Sequence, residues 1–473
     1  MTTHDDSSSG GRSSESGAAP GTGSALVFRP GDTGYDDELA GFQTGFVHRP
    51  DVIFAAAGAD DVVAAVRHAA AGRLPVGVQS TGHGLPGDAE GGVLISTRRM
   101  GEVTVDAAAG TVRVGAGARW GDVARAAAEH GLAPLNGSAP GVGAVGYILG
   151  GGLGILAREF GYTADHVRAV DVVTADGAAR HVTADSDPEL FWGLLGGGAN
   201  LGVVTALEVG LVPVTRLFGG FLAHDGRATD PADILRAYAE WTATVPPTLT
   251  SSLAALVHPD LPMLPPHLRG QYVVSVRVAF TGTAEEGERL VAPLRAALGP
   301  AVTDTLREMP YGESHTIHND PDFPHAYYGD SVFLGGRVGE GGGERGADLD
   351  VAAVAELFAL CGPAADAMHV VQLNHLGGAL SRPAPNAVPY RDAGWLVRIL
   401  SPLDGSGKDA ARAHQARAFG AVEPDTVGRS LNFAFGGGDR TEGLYDAGTR
   451  KRLADLKAAY DPANLFRRNY NVR

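Results

Sequence analysis

Apolar and polar positions fall into a regular order from about residue 50 onward. Val52-Ile53-Phe54 predicts a short strand. Asp60-Asp61 are expected to cap a helix whose apolar face is Val62, Val63, Val66 and Ala70, at helical spacing. Leu74–Val78 predicts the next strand, and a polar, Gly-rich turn follows it, Gln79-Ser-Thr-Gly-His-Gly-Leu-Pro-Gly-Asp88. Strands are predicted over Val93–Ser96, Val103–Asp106 and Thr111–Val114, with a helix from Trp120 to about His130. A β-α-β unit followed by a meander is an α+β arrangement. Residues 134–154 are the most Gly-dense part of the chain. Beyond them come a strand at Val167–Thr174, a short helix at Asp187–Leu195 and a strand at Val203–Leu211.

From about residue 216 the texture changes. Tyr272–Phe280 alternates as a strand, Ala284–Leu298 is an amphipathic helix, and Val351–Leu360 is a further helix. Strands are expected around Val370–Asn374 and Trp395–Leu400, and a helix over Thr449–Tyr460. The resulting division is a disordered tail over 1–24, one domain over 25–215, a second of antiparallel sheet plus helices over 216–432, and a terminal segment over 433–473 that returns to the first.

Composition narrows the function classes. A net charge of -16 argues against nucleic acid, which calls for a basic face, and against anionic membrane surfaces. No apolar run reaches the roughly 18–20 residues of a membrane span, and the polar N-terminus has no secretory core. Cys361 is the one cysteine, so no intramolecular disulfide forms, and a reducing, cytoplasmic setting is expected.

Gly141-Val-Gly-Ala-Val-Gly146 matches the dinucleotide pattern, but it follows a loop rather than a first strand, which disfavours a nicotinamide site. The turn Ser80-Thr81-Gly82-His83-Gly84 presents successive backbone N–H groups after a buried strand, as an anion nest does. Taken alone it reads more readily as a surface loop with a solvated His. Gly150-Gly-Gly-Leu-Gly154 places bare backbone between apolar flanks, as if against a flat partner. In Tyr460–Phe466 and Asn469-Tyr-Asn471, apolar anchors alternate with amides where chains usually fray, which suggests a docked tail. His315 and His318 lack an evident third ligand, so no metal is expected.

Five separated markers, in order, resemble the berberine-bridge-enzyme-like oxidases of the vanillyl-alcohol oxidase superfamily. They are Ser80–Gly84; Gly143-x-x-Gly146 with Gly150–Gly154; Glu189-Leu-Phe-Trp192 with Gly196–Thr205; Gly377-Gly-Ala379; and the block Tyr460–Asn471. The resemblance spans about residue 45 to the end. It implies an α+β fold: a two-subdomain FAD-binding domain of the PCMH type, and a substrate domain of antiparallel sheet covered by helices. It implies FAD bonded to His83, with the turn Gln79, Ser80, Thr81, Gly82 and Gly84 on the pyrophosphate. Relatives often carry Arg where Gln79 stands. Many add a second bond from a Cys, and Ala139 occupies that position, so a single bond is expected. Val142 stands where a Val accompanies reaction with oxygen. Gly143, Gly146, Gly152, Gly154, Val204, Asn469 and Asn471 are expected to line the FAD groove.

The implied activity is that of an oxidase taking a hydride from a small organic molecule, a secondary-metabolite intermediate or a sugar alcohol, to flavin N5 and on to oxygen, giving hydrogen peroxide. The alternatives are an oxidative cyclisation or rearrangement, or a flavin-binding protein without turnover. The usual proton acceptors are missing, since Ser430 stands where relatives often have Tyr. Asn374, Gln372, His375, Tyr328 and Arg398 are the candidates that remain. Substrate identity and oligomeric state stay open.

Overall fold

The computed structural model describes residues 26–260, 262, 268–335, 349–403, 407–438 and 440–473. The expected tail over 1–24 lies outside them.

The first layer is a four-stranded sheet. Val52–Ala55 and Val76–Gln79 both pair in parallel with Val93–Ser96, and Leu26–Phe28 adds an antiparallel edge. The crossover helix Ala59–Gly72 buries Val62, Ala65, Val66 and Ala69 on this sheet. Ala70 is exposed, so the apolar face is rotated from the expected one. The cap also differs. Gly58 is the N-cap, and the acids lie in the first turn, where the helix dipole favours them. Asp61 accepts from the Ala57 N–H at 2.8 Å.

The second layer is a five-stranded antiparallel sheet in the order Ala179–Thr183, Val167–Val173, Val203–Gly210, Thr111–Gly115, Val103–Asp106. Ala179–Thr183 has no counterpart in the sequence reading. It is a largely exposed edge strand, so hydrophobic alternation never develops there.

The third layer is a nine-stranded sheet whose pairings are all antiparallel. Its central order is Arg216–Asp225, Tyr272–Phe280, Leu249–Val257, Val370–His375, Trp395–Pro402, Tyr327–Leu334. The first, third and last of these were not anticipated. Helices Pro231–Thr242, Ala284–Leu298, Val351–Leu360 and Lys408–Gly420 cover one face. There Leu253, Val276, Leu373 and Val397 pack under Tyr238, Leu294, Phe358 and Ala418. Side chains alternate across a strand, so the intervening positions Ser252, Arg277, Gln372, Asn374 and Arg398 fall on the opposite face. That face looks toward the first two layers.

The terminal segment closes the fold. Helix Ala447–Tyr460 lies against Pro188–Leu194, with the Arg452 guanidinium 3.8 Å from the Trp192 ring centroid. The Leu465 carbonyl accepts from the Val76 N–H at 2.8 Å. Lys457, fully enclosed, donates to the carbonyls of Asn200 and Phe466 and to Asp461 at 2.9–3.0 Å. Asn200 in turn donates to the Tyr470 carbonyl at 2.9 Å.

Candidate functional site

A cavity of about 780 Å³ lies where the polar face of the large sheet meets the first two layers. Two groups of polar side chains sit at its ends.

At one end is the turn after strand Val76–Gln79. Gly82 has φ +70°, and a Cβ there would fall 2.7 Å from the Gly41 Cα, so the turn requires glycine. His83 is stacked on Phe42 at 3.9 Å between ring centroids. Its Nδ1 lies 2.8 Å from the Thr81 Oγ1, which also accepts from the Gly143 N–H at 3.3 Å. The Tyr327 hydroxyl donates to the His83 carbonyl at 2.7 Å. Burial, with Arg119 and His325 nearby, pulls the His83 imidazole down to about 4. The ring is therefore neutral at pH 7, the form in which a ring nitrogen is nucleophilic.

Ser80, Thr81, Gly84, Ala139, Val142, Gly143, Gly146, Gly154, Val204 and Asn469 all reach the cavity wall, as Gly82 and Gln79 do. The Ser80 hydroxyl and the Asn469 amide nitrogen are buried without partners, as expected of a wall built for a polar ligand. Gln79 turns its amide away, donating to the Leu39 carbonyl at 2.9 Å.

Two expected lining residues are misplaced. Gly152 has φ +79°, and a Cβ on it would meet Tyr147 and Thr163 within 2.8 Å, so its close neighbour is protein. Asn471 also lies off the wall, one residue beyond Tyr470 in the docked tail.

At the other end the sheet's alternation sorts the remaining candidates. Asn374, Gln372 and Arg398 line the cavity. His375 and Tyr328 do not, because each sits one residue out of phase and so faces the helices. His375 stacks on Trp395 at 5.0 Å. Tyr328 packs with Phe46, Leu85 and Ala411, and its hydroxyl accepts from Arg440 at 3.1 Å. Tyr327 takes the inward place instead. Ser430 is also off the wall.

The lining residues that were not named as site residues include Tyr147, Ser252, Arg277, His318 and Asp320, besides Tyr327. Arg277 carried a signal, a cation in an otherwise apolar strand. His318 was paired with His315 by spacing, but His315 is exposed and only His318 reaches the cavity. No cluster able to hold a metal ion occurs among the described residues.

Arg277 and Arg398 donate to the same atom, the Gln372 Oε1, in both cases with a contact at 3.1 Å. Burial and Arg277 hold His318 well below its ordinary value, so it is neutral at pH 7. Burial would raise the Asp320 carboxyl, but His318, Arg398, Arg277 and the hydrogen bond from Ser138 bring it below the usual range. Asp320 is open to the cavity yet surrounded by protein. The Tyr147 and Tyr327 hydroxyls are held protonated, with burial raising both. The Asn432 amide donates to the Tyr147 carbonyl at 3.1 Å, and a Cβ on Gly150 would strike its oxygen at 1.7 Å, so glycine is required there.

A family model described as an FAD binding domain matches residues 50–183, and one described as berberine and berberine like matches residues 430–473. The chain is similar to (R)-6-hydroxynicotine oxidase of Paenarthrobacter nicotinovorans, 28% identical over 94% of this chain and 96% of that protein. The structure of 6-hydroxy-D-nicotine oxidase from Arthrobacter nicotinovorans superposes with a TM-score of 0.81 at 26% identity, covering 96% of this chain and 99% of that one. Glucooligosaccharide oxidase from Acremonium strictum, described as carrying a 6-S-cysteinyl, 8α-N1-histidyl FAD, shares the fold with a TM-score of 0.81 at 20% identity, covering 95% of this chain and 97% of that one. Among the described residues, no helix is long and apolar enough to cross a membrane.

Proposed function

Because the chain is an FAD-linked oxidoreductase with an FAD binding domain and a berberine-like terminal segment, we propose that it is an oxidase holding FAD on a single bond from His83. The observation that carries this reading is a neutral imidazole, fixed between Phe42 and Thr81, on the wall of the one cavity that also holds the unpartnered Ser80 and Asn469 groups. FAD held there would supply the hydride acceptor, with oxygen as the final acceptor of two electrons and two protons to give hydrogen peroxide.

The chain's own residues bind, orient and move protons. The backbone of Ser80–Gly84, Gly143 and Gly146 suits the pyrophosphate, with the Thr81 hydroxyl steadying both His83 and Gly143. Gly154, Val204, Asn469, Ala139 and Val142 line the same cavity and would complete the groove that holds the cofactor. Ala139 supplies no thiol, and Cys361 is buried beside His414 on the helix-covered side, so His83 is the sole tether.

The substrate lies against the polar face of the large sheet, where Asn374, Gln372 and Arg398 orient it. Taking a hydride from a carbon bearing a hydroxyl or amine requires a group that accepts the proton. On the wall the Tyr147 and Tyr327 hydroxyls are held protonated, whereas His318 is neutral and its Nδ1 is buried without a partner, open to accept a proton although burial and Arg277 weaken it as a base. We assign it that role. Small organic molecules are the substrate class. The relatives named act, by their names, on a hydroxynicotine and on oligosaccharides.

The test is direct. Purified protein is denatured in acid, and the yellow colour is expected to stay with the wild-type chain and leave the His83→Ala chain. Colour released from wild type, or kept by the variant, would overturn the assignment. A panel of alcohols and amines read by peroxide release then tests turnover. Flavin that no panel member bleaches without oxygen would favour a binding protein instead.

A further inference from the structure

The cavity's sheet end holds two guanidinium groups with no carboxylate in direct ion-pair contact. Arg277 and Arg398 come from strands separated by Leu249–Val257 and Val370–His375, yet both converge on one neutral acceptor, the Gln372 Oε1. Among the described residues no carboxylate lies within ion-pair reach of either, and neither has an unstated partner. The Asp320 carboxylate acts on both from beyond ion-pair distance, one of its oxygens accepting from Ser138, and so offsets only one of the two positive charges.

Such pairs are unusual. Two like charges sharing an enclosed site repel unless an anion joins them, and buried charges are normally paired. The strain registers on Arg398, which burial and Arg277 bring down to about 10. Around the pair, the Gln372 Nε2, the Asn374 Oδ1 and the Ser252 Oγ are buried without partners. The surrounding wall is apolar and aromatic, from Val278, Ile317, Phe433 and Phe435, and the Arg398 guanidinium lies 4.6 Å from the Phe433 ring centroid. Cationic forks, unsatisfied amides and apolar walls together describe a site for an amphipathic anion.

We propose that the oxidised substrate carries an anionic group, a carboxylate or acidic enolate on an apolar or aromatic body, seated between Arg277 and Arg398. This inference rests on the cavity being the site of FAD-dependent oxidation.

Benzoate and its neutral counterpart benzamide are suitable probes. Isothermal titration of the flavin-loaded protein measures binding without relying on colour. Benzoate is expected to bind at least about tenfold tighter than benzamide, with its Kd rising with salt, as charge recognition requires. Arg398→Gln and Arg277→Gln should each abolish that preference, with benzoate losing far more affinity than benzamide. Arg398→Lys, which keeps the charge but not the fork, should retain a reduced preference. Equal binding of the two probes, binding of neither, or an unaltered preference in Arg398→Gln would overturn the proposal. If the pair serves the cofactor instead, Arg398→Gln shifts the flavin midpoint potential and wild type shows no preference for benzoate, which also overturns it. The salt response of wild type keeps the test decisive if a variant fails to fold. Acid-released flavin in wild type, with benzoate preference intact, would sink the covalent reading alone.

Discussion

Asp330 and Arg429 tie the large sheet to the segment that closes the cavity, and removing one charge should be costly. Asp330 lies on strand Tyr327–Leu334, and Arg429 lies two residues before Leu431, which with Asn432, Phe433 and Phe435 is on the cavity wall. The pair is joined by three hydrogen bonds of 2.7–2.9 Å. Their side chains are 6% and 10% exposed, so water cannot replace a lost partner. Asp330→Asn keeps the shape and removes the charge. Arg429 then keeps one neutral amide oxygen and the carbonyls of Arg440 and Glu442, both at 3.2 Å, but loses its counter-charge and one acceptor. Breaking one side of a buried pair costs about 3–5 kcal/mol, a large share of the roughly 5–15 kcal/mol that stabilises a folded domain. At about 2–4 °C per kcal/mol for a domain of this size class, the melting temperature should fall by roughly 6–20 °C. Circular dichroism melts of the flavin-loaded protein at neutral pH measure this. The double variant Asp330→Leu with Arg429→Met removes both buried charges and leaves only the partly exposed Arg440, 3.4 Å from Asp330 in wild type, without its carboxylate, so it should recover most of the loss. A shift under about 2 °C for Asp330→Asn, or a double variant worse than the single, would refute the reasoning.

Three further outcomes follow, two from the site and one from a buried histidine outside it. Thr81→Val removes the hydroxyl that holds His83 Nδ1, so the fraction of flavin surviving acid denaturation should drop well below wild type while the far-ultraviolet spectrum is unchanged. His318→Asn should lower kcat by about 10²–10⁴-fold, the usual worth of a positioned proton acceptor, with a smaller change in KM and a lost acidic limb in the pH–rate profile. His369 is buried against Ser401 at 2.8 Å, and burial, with His414 beside it, brings it from 6.5 to about 4. The unfolded chain binds a proton between those values and the native one does not, so stability rises with pH across that window. The contribution is complete above about pH 6.5 and is lost as pH falls toward 4, and His369→Gln should flatten the curve of melting temperature against pH there.

How much was legible depends on how local each signal is. The turn Ser80–Gly84, the run Gly150–Gly154 and the docked tail are contiguous, and each demands residue types that a short window displays. The strands Arg216–Asp225, Leu249–Val257 and Tyr327–Leu334 escaped notice because they lie inside a large sheet. Tyr327–Leu334 is buried at every position, which hides alternation. Gly152 was read as facing the cofactor because glycine marks close approach, but the pattern does not say to what, and here it is Tyr147 and Thr163.

The sequence by itself determined the one histidine in the turn Ser80–Gly84 and the absence of a thiol at Ala139, which are matters of identity, and the resemblance carried by its five ordered markers gave the cofactor class. Only the tertiary structure decided which side chains meet. Alternation divides Gln372 and Asn374 from His375, and Tyr327 from Tyr328, but does not say which set faces inward. Arg277, His318, Asp320, Gln372 and Arg398 converge from five chain positions, and that meeting is set by the register of long-range strand pairs and by the helices covering the opposite face.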